Sequence, residues 1–242
     1  MKQVVFTIES NVALTPWVYR MVLTGDAEGI RPGQFVEVAV PGKYLRRPIS
    51  VCDFGENSLT LVYKVVGEGT DILSKLTPGT QVDVLTVLGN GYDLSRSGEA
   101  PVLVGGGVGV PPLYALCKKL IAEGKKPQVV LGFNTAEEIF LAEDFAALGA
   151  EVHVATADGS FGTKGFVTDV LKNLTYTHFY SCGPMPMFKA MEAVMTTDGQ
   201  YSLEERMGCG FGVCMGCTIE TKSGPRRVCK DGPVFPREEV FF

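Results

Sequence analysis

The chain has 242 residues, of which 45% are hydrophobic and 20% charged, so it can build one or two ordinary domains with a small appendage. Its formal net charge is −5, which argues against nucleic acid as a partner because phosphate binding favours a basic excess. The N-terminal MKQVVFTIES has no apolar signal-peptide core, and the longest uncharged stretch, 100–117, combines glycines and prolines that a membrane-spanning helix rarely holds. We therefore expect a soluble cytoplasmic protein without a membrane anchor, in which disulfide bonds are not the role of the cysteines.

Short strands separated by turn residues are predicted for residues 1–95. The clearest are QFVEVAV (34–40), SLTLVYKVV (58–66) and QVDVLTVL (81–88), with Pro–Gly pairs between them. Strands spaced this evenly indicate a small antiparallel barrel or sandwich. A polar turn, SRSGEA (95–100), marks the boundary with the next part of the chain.

The stretch LRRPISVC (45–52) has residue types that suit a flavin nucleotide. Arg47 can pair with a phosphate, Ser50 can hydrogen-bond to a flavin ring, and Pro48 fixes the main chain between them. The turn GEGT (67–70) offers glycine and a hydroxyl group for a second phosphate contact. The alternative at this point is that the two arginines form a solvated face and that GEGT is an ordinary loop.

Strands alternate with helices in the next part of the chain, which predicts a doubly wound parallel sheet. The predicted segments are a strand at 101–107, a helix at 110–125, a strand at 127–133, a helix at 136–148, strands at 151–156 and 177–183, and a helix at 185–195.

Glycines follow two of these strands, at the edge where a parallel sheet binds its ligands. GGGVG (105–109) lets the main chain approach a pyrophosphate, and SCGPMP (181–186) leaves room for a flat ligand. The candidate contacts to a nicotinamide dinucleotide are Gly105, Gly106, Gly107, Gly109, Cys182 and Gly183. The alternatives are a tight strand–helix turn and, for Cys182, an ordinary buried apolar residue.

The segment GFNTAEEIF (132–140) bears on which dinucleotide binds. A 2′-phosphate needs Arg or Lys after the second strand, and the segment offers Asn134, Glu137 and Glu138 instead. This favours NAD(H), although Lys164 in a neighbouring loop is a possible basic contact.

Four cysteines near the C-terminus have the spacing C-x4-C-x2-C-x11-C: Cys209, Cys214, Cys217 and Cys229. The first three match plant-type [2Fe–2S] spacing, and the interleaved glycines let main-chain N–H groups turn toward the sulfurs. Zinc also takes four cysteines, but its sites usually contain two C-x2-C pairs. This sequence has only one such pair, Cys214 and Cys217. A thioredoxin-like dithiol is not expected here, because that motif lies at a strand–helix junction of its own fold. The pattern favours an iron–sulfur cluster, with zinc as the main alternative.

The order of these motifs resembles that of the ferredoxin-reductase superfamily and, more narrowly, of the electron-transfer subunits of type B dihydroorotate dehydrogenase. The most specific stretches are ERMGCGFGVCMGC (205–217) and RRVCKDGPVF (226–235), and DGSFGTKGFVTDVL (158–171) also matches. Two departures are Val87, where the family tends to have proline, and GGGVGVPPL (105–113), which fits the family loosely.

The resemblance implies three cofactors: FAD, a [2Fe–2S] cluster on the four cysteines, and NAD. The FAD contacts that it implies are Arg47, Pro48, Ile49, Ser50, Val62, Tyr63, Lys64, Gly69 and Thr70. It also implies a partner chain that carries FMN and the dihydroorotate site, in a heterotetramer of two plus two chains.

The implied route runs from dihydroorotate to the partner's FMN, then to the cluster, FAD and NAD⁺, in pyrimidine (UMP) biosynthesis. A nicotinamide exchanges two electrons and a cluster one, so a flavin belongs between them. The chain would thus be an NAD-linked oxidoreductase subunit, and we expect no acid–base pair or nucleophile in it.

The expected fold is multidomain: an antiparallel FAD-binding β-barrel (1–97), a doubly wound NAD-binding α/β domain (98–200) and a small C-terminal [2Fe–2S] domain (201–242). Two other functions stay open. One is a related subunit of a sulfhydrogenase or a ferredoxin–NAD(P) reductase. The other is a zinc-containing, NADH-sensing binding module, against which RPIS and GEGT argue.

Overall fold

The computed structural model describes all 242 residues, and its first part is a closed six-stranded barrel. Its strands are β1 (Lys2–Ala13), β2 (Val18–Thr24), β3 (Phe35–Val38), β4 (Arg47–Phe54), β5 (Ser58–Lys64) and β6 (Gln81–Leu88). They pair in the order β1–β2–β5–β4–β3–β6, every pair is antiparallel, and β6 closes on β1. Helix α1 (Glu68–Ser74) connects β5 to β6.

Alternating buried and exposed side chains along the strands explain why they form a barrel. In β6, every second residue from Val82 to Leu88 is buried and those between are partly exposed or exposed. The inward side chains of all six strands form one apolar core that includes Phe6, Leu23 and Leu61. The barrel prediction is therefore confirmed, and the predicted strand 81–88 matches β6 in full.

A seven-stranded sheet forms the second part. Its strands are β7 (Val102–Gly106), β8 (Gln128–Phe133), β9 (Glu151–Thr156), β10 (Thr163–Lys164), β11 (Phe179–Cys182), β12 (Gly199–Ser202) and β15 (Val234–Pro236). The order is β10–β9–β8–β7–β11–β12–β15, and only the β12–β15 pair is antiparallel. Its helices are α2 (Pro112–Ala122), α3 (Ala142–Ala147), α4 (Val167–Leu171) and α5 (Met185–Glu192). The doubly wound sheet that alternation predicts is confirmed.

The predicted helix at 136–148 is wrong as a single element. The structure has a short 3-10 turn at Ala136–Glu138 and then α3, and Leu141 between them has a left-handed conformation with φ +63°. Phe140 and Leu141 are buried in the core of the sheet, and Phe140 packs edge-on against Phe133. Burial of these apolar side chains outweighs helical continuity at this point.

The C-terminal part is joined to the sheet. It contains a hairpin of β13 (Thr218–Thr221) and β14 (Gly224–Arg227), helix α6 (Val228–Asp231), and then β15, which returns to pair with β12. The predicted boundary between residues 200 and 201 falls inside β12, so the sheet continues across it. None of the helices has the length and hydrophobicity that spanning a lipid bilayer requires.

Candidate functional site

A cavity of about 670 Å3 lies where the barrel, the sheet and the C-terminal part meet. The barrel contributes Phe35, Pro48, Ser50 and Lys64 to its lining. The ends of the sheet strands contribute, among others, Gly106, Gly107, Gly109, Gly132, Cys182 and Gly183. Leu203, Glu204, Glu205, Met207 and Pro233 line it from the C-terminal part. One space thus connects both predicted nucleotide sites with the segment that leads into the cysteine loop, residues 207–217.

Strand β4 presents its two faces to different surroundings. Pro48 and Ser50 line the cavity, whereas Ile49 and Val51 point into the barrel core. The alternation of a strand therefore places the proline and the hydroxyl of the RPIS motif at the open face. Ser50, for which the sequence predicts a hydrogen bond to a flavin ring, thus lines the cavity.

Arg47 lies against the GEGT segment (67–70), whose last three residues begin helix α1, and both are outside the cavity lining. A Cβ atom on Gly69 would stand 2.6 Å from Nη2 of Arg47, so only glycine lets the guanidinium lie this close. The Thr70 hydroxyl accepts hydrogen bonds from the N–H groups of Val66 (3.0 Å) and Gly67 (3.3 Å), and it donates to the Gly67 carbonyl. The two predicted phosphate contacts are thus neighbours, as a pyrophosphate site requires.

The other predicted flavin contacts have buried side chains. Ile49 and Tyr63 belong to the barrel core, and Val62 belongs to the core between the barrel and the sheet. The Tyr63 hydroxyl donates to Oδ1 of Asn11 at 3.1 Å. These three residues can meet a ligand only through their main chain, while Lys64 beside them reaches the cavity.

The glycine loops meet at the point where the sheet changes direction. Strands β7 and β11 are neighbours, yet β7 leads to β8 on one side and β11 to β12 on the other. A crevice opens between such strands, and ligands of α/β sheets bind there. Gly106, Gly107, Gly109, Cys182 and Gly183 all line the cavity at this place. Gly105 does not, because it packs on Val110 and Leu113 of the next turn.

Residues that follow β8 also line the cavity. Asn134 and Glu138 line it, and Oε2 of Glu138 accepts from both the main-chain N–H (3.1 Å) and Nδ2 (2.9 Å) of Asn134. Glu137 and Lys164 lie outside the lining, and Lys164 packs on Gly159. Lys64, on the barrel side, is the only basic residue in the lining.

The cysteine loop brings two thiols together at Cys209. Its Sγ accepts hydrogen bonds from the N–H groups of Val213 (3.3 Å) and Cys214 (3.4 Å). The Cys214 thiol also donates a hydrogen bond to it. Burial alone would raise the pKa of Cys209, but these donors, together with the Phe211 N–H, outweigh it and lower the pKa to about 6. Cys209 is therefore prepared to act as a thiolate ligand.

Cys217 and Cys229 form the second pair and are buried. The Cys229 N–H donates to Sγ of Cys217 at 3.4 Å, and the two thiols also interact through their side chains. Burial and then the neighbouring Cys217 raise the pKa of Cys229 to about 12. All seven cysteines are free thiols.

The donor set fits a binuclear iron–sulfur cluster. The four thiols stand as two pairs, Cys209 with Cys214 and Cys217 with Cys229. A [2Fe–2S] cluster takes four thiolates for its two irons, so one pair can serve each iron.

Comparison with known families agrees with this geometry. Residues 103–193 match the oxidoreductase NAD-binding domain family. Residues 204–241 match the iron–sulfur cluster binding domain of dihydroorotate dehydrogenase B. The electron transfer subunit of dihydroorotate dehydrogenase B (NAD(+)) from Fusobacterium nucleatum is 45% identical, over 97% of this chain and 96% of its own length. The chain belongs to this family of electron-transfer subunits.

One further relative of the same description and two solved structures are also similar to the chain. The Geobacillus sp. subunit of the same description is 44% identical, over 99% of both chains. Among solved structures, an NADH-dependent reduced ferredoxin-NADP oxidoreductase described for flavin-based electron bifurcation has a TM-score of 0.89. It is 31% identical and covers 98% of this chain and 89% of its own. A ferredoxin NADP+ reductase from Neisseria gonorrhoeae shares the fold, with a TM-score of 0.69 at 16% identity, covering 80% of this chain and 92% of its own.

Sequence reasoning missed two features of this electron-transfer subunit. Phe166, on the turn before α4, is 66% exposed and lines the cavity. Glu37, on β3, is buried against the cysteine loop. The available sequence signals were the motif GTKGFVTDV for Phe166 and the alternation of β3 for Glu37. Neither pattern shows by itself which part of the molecule faces these side chains.

Proposed function

We propose that this chain passes electrons between the FMN of a catalytic dihydroorotate dehydrogenase subunit and NAD⁺, with FAD and a [2Fe–2S] cluster as its cofactors. It would act in the cytoplasm, in pyrimidine biosynthesis. The predicted parts 1–97, 98–200 and 201–242 would hold FAD, NAD(H) and the cluster in that order.

The observation that carries the proposal is the single cavity shared by the three parts. Ser50 lines it from the barrel, Gly183 from the sheet and Met207 from the start of the cysteine loop. Its volume of about 670 Å3 is within the usual range for cofactor sites, about 300–1,000 Å3.

The residues of the chain bind and orient rather than react. Arg47 and the GEGT turn would hold a pyrophosphate, and Ser50 would hydrogen-bond to the ring system beside it. The glycines after β7 and β11 would let a nicotinamide lie flat in the crevice, where side chains would exclude it. When bound, a flavin exchanges hydride with nicotinamide and single electrons with an iron–sulfur cluster.

The exposed side of the cysteine loop is the surface we propose for the catalytic subunit. Phe211, Val213 and Met215 are 39%, 72% and 55% exposed, and they surround the exposed Cys214. Clustered apolar side chains on a surface mark protein contacts. A partner bound there would exclude water from the cluster and bring its own FMN close, in an assembly of two chains of each kind.

Co-expression with a dihydroorotate dehydrogenase catalytic subunit tests the proposal. We expect a complex that contains FMN, FAD and iron and that reduces NAD⁺ when dihydroorotate is added. A catalytic subunit that neither copurifies with this chain nor passes electrons to it would contradict the proposal.

A second candidate is a subunit of a reduced ferredoxin-dependent NAD(P) reductase. The 31% identity and the TM-score of 0.89 with one such structure favour it. Reduced ferredoxin in place of dihydroorotate distinguishes the two. Reduction of NAD⁺ by ferredoxin, with no response to dihydroorotate in any complex, would favour the second candidate.

A further inference from the structure

Glu37 is a buried carboxyl group without a hydrogen-bond partner. It is 1% exposed, and neither Oε1 nor Oε2 has a donor within reach. Burying such a group costs free energy, so carboxyl groups in protein interiors are nearly always paired. An apolar residue would fill this position more stably, which points to a role for the charge.

The donors around Glu37 are engaged elsewhere. Arg46 donates to both side-chain oxygens of Asp83 (2.8 and 3.1 Å), and it reaches only the main-chain carbonyl of Glu37 (3.4 Å). The N–H groups of Phe211, Val213 and Cys214 are directed at Sγ of Cys209. The carboxyl group is therefore left free although polar groups are close to it.

Glu37 lies between the two predicted redox sites. In the barrel it is the register partner of Pro48, the centre of the RPIS motif. On its other side it meets the cysteine loop, because a Cβ atom on Gly210 would stand 2.5 Å from both Cγ and Oε1 of Glu37. Gly210 has φ +75°, so glycine is required both for this conformation and for this approach.

We propose that the Glu37 carboxylate is the buried charge that lowers the reduction potential of the iron–sulfur cluster next to the flavin site. This rests on the proposed function, since it requires that the four cysteines hold a cluster. Glu37 acts at a distance and touches no reacting atom, so it is a tuning residue.

Electrostatics gives the direction of the effect. A reduced cluster carries one more negative charge than an oxidised one, and a carboxylate in a region of low polarity opposes that charge. Net charge and hydrogen bonds to the sulfurs are the main determinants of cluster potential. At Cys209 the main-chain donors stabilise negative charge, and Glu37, on the barrel side of the same loop, acts against them.

The experiment is an EPR-monitored redox titration of the full chain loaded with FAD and iron–sulfur cluster. Burial raises the pKa of Glu37 to about 7, so the titration is made at about pH 8.5, where the carboxylate is charged. The variants are Glu37→Gln, which has the same shape, and Glu37→Asp, which keeps the charge. Glu220→Gln, on the exposed face of β13, removes a charge from the same part of the chain.

We expect Glu37→Gln to raise the cluster midpoint potential by about 59 mV or more, a tenfold change in the ratio of reduced to oxidised cluster. Glu37→Asp and Glu220→Gln should stay closer to the wild-type value. A Glu37→Gln protein with an unchanged midpoint potential, or one that has lost its cluster, would overturn the inference. A wild-type chain that binds no iron would contradict the proposed function itself. Because iron is assayed before the titration, the experiment shows whether the proposed function or the inference about Glu37 has failed.

Discussion

The main chain of Cys182 lies directly against Gly109. A Cβ atom on Gly109 would stand 2.5 Å from the Cys182 carbonyl carbon and 2.6 Å from Cα of Gly183. The turn after β7 therefore meets the end of β11 main chain to main chain at the crevice between the two strands. A cofactor in this crevice would meet main-chain atoms on both sides.

Gly109→Ala should weaken NADH binding, because the added methyl group pushes the turn after β7 away from the end of β11. We expect the KM for NADH in flavin reduction to rise about tenfold and stability to fall by about 1–3 kcal/mol. Stopped-flow bleaching of the flavin and thermal unfolding measure the two effects. Gly149→Ala is the control: its φ is +92° but its Cβ would meet nothing within 4 Å. It should lose stability and keep the KM, and equal KM values for all three proteins would contradict the role of Gly109.

Cys214→Ala should separate the two halves of electron transfer. The flavin should still be reduced by NADH, because the barrel and the glycine loops are unchanged. Dihydroorotate-driven reduction of NAD⁺ in the complex should fall by more than about 100-fold, because losing a ligand costs more than the roughly 10–100-fold that losing an outer-shell partner costs. The control is Cys117, which is buried in α2, and the Cys117→Ala protein should keep its iron. A wild-type rate in Cys214→Ala would mean that the proposed order of carriers is wrong.

Asn90→Ala should loosen the segment that follows Cys229. The Asn90 side chain donates to the carbonyls of Asp231 (3.2 Å) and Val234 (2.8 Å), and accepts from the Val234 N–H (3.2 Å). Loss of these bonds should cost roughly 1–3 kcal/mol and speed iron release to a chelator. Asn173→Ala, which removes one exposed bond to Asp169, is the control. Identical iron release from both variants would exclude Asn90 as an anchor.

His178 should make the fold less stable in mild acid. It is 2% exposed and its Nε2 lies 3.2 Å from Nε2 of Gln200, so the neutral ring accepts this hydrogen bond. Burial, and then Arg96, lower the pKa of His178 below its usual value of about 6.5. The unfolded chain therefore takes up a proton more readily than the folded chain, and stability is lost as the pH falls below about 6.5.

Urea unfolding at about pH 7.5 and 5.5 measures this loss of stability. The urea midpoint of the wild type should be lower at the acid pH than at the neutral one. The difference should be smaller in His178→Gln, which has no titrating ring. A pH dependence that is the same in both proteins would contradict the assignment.

Local patterns predicted the elements whose surroundings are simple. The alternation of β6 fixes its bounds at Gln81–Leu88 because one face meets the barrel core and the other is more polar. The cysteine spacing is equally local, and the structure places Cys209 next to Cys214 and Cys217 next to Cys229. The arrangement of the glycine loops after β7 and β11 follows from the general rule for parallel sheets.

Features set by contacts between distant residues were not predictable. Alternation places Glu37 on the polar face of β3, yet all four residues of this strand are buried because the C-terminal part covers that face. The three residues of β15 are too few to predict a strand, and their pairing with β12 depends on the anchor at Asn90. The break of the predicted helix at Leu141 follows from burial of two apolar side chains, which helix propensity does not describe.

An anaerobic absorption spectrum of the purified chain, recorded before and after NADH is added, tests the central claim most directly. Iron and zinc are assayed on the same sample. We expect flavin bands and a broad cluster absorbance that both bleach with NADH, with about two irons per flavin. A colourless protein that contains zinc and no iron would contradict it, because the cysteine pairs would then be structural and the chain could carry no electrons.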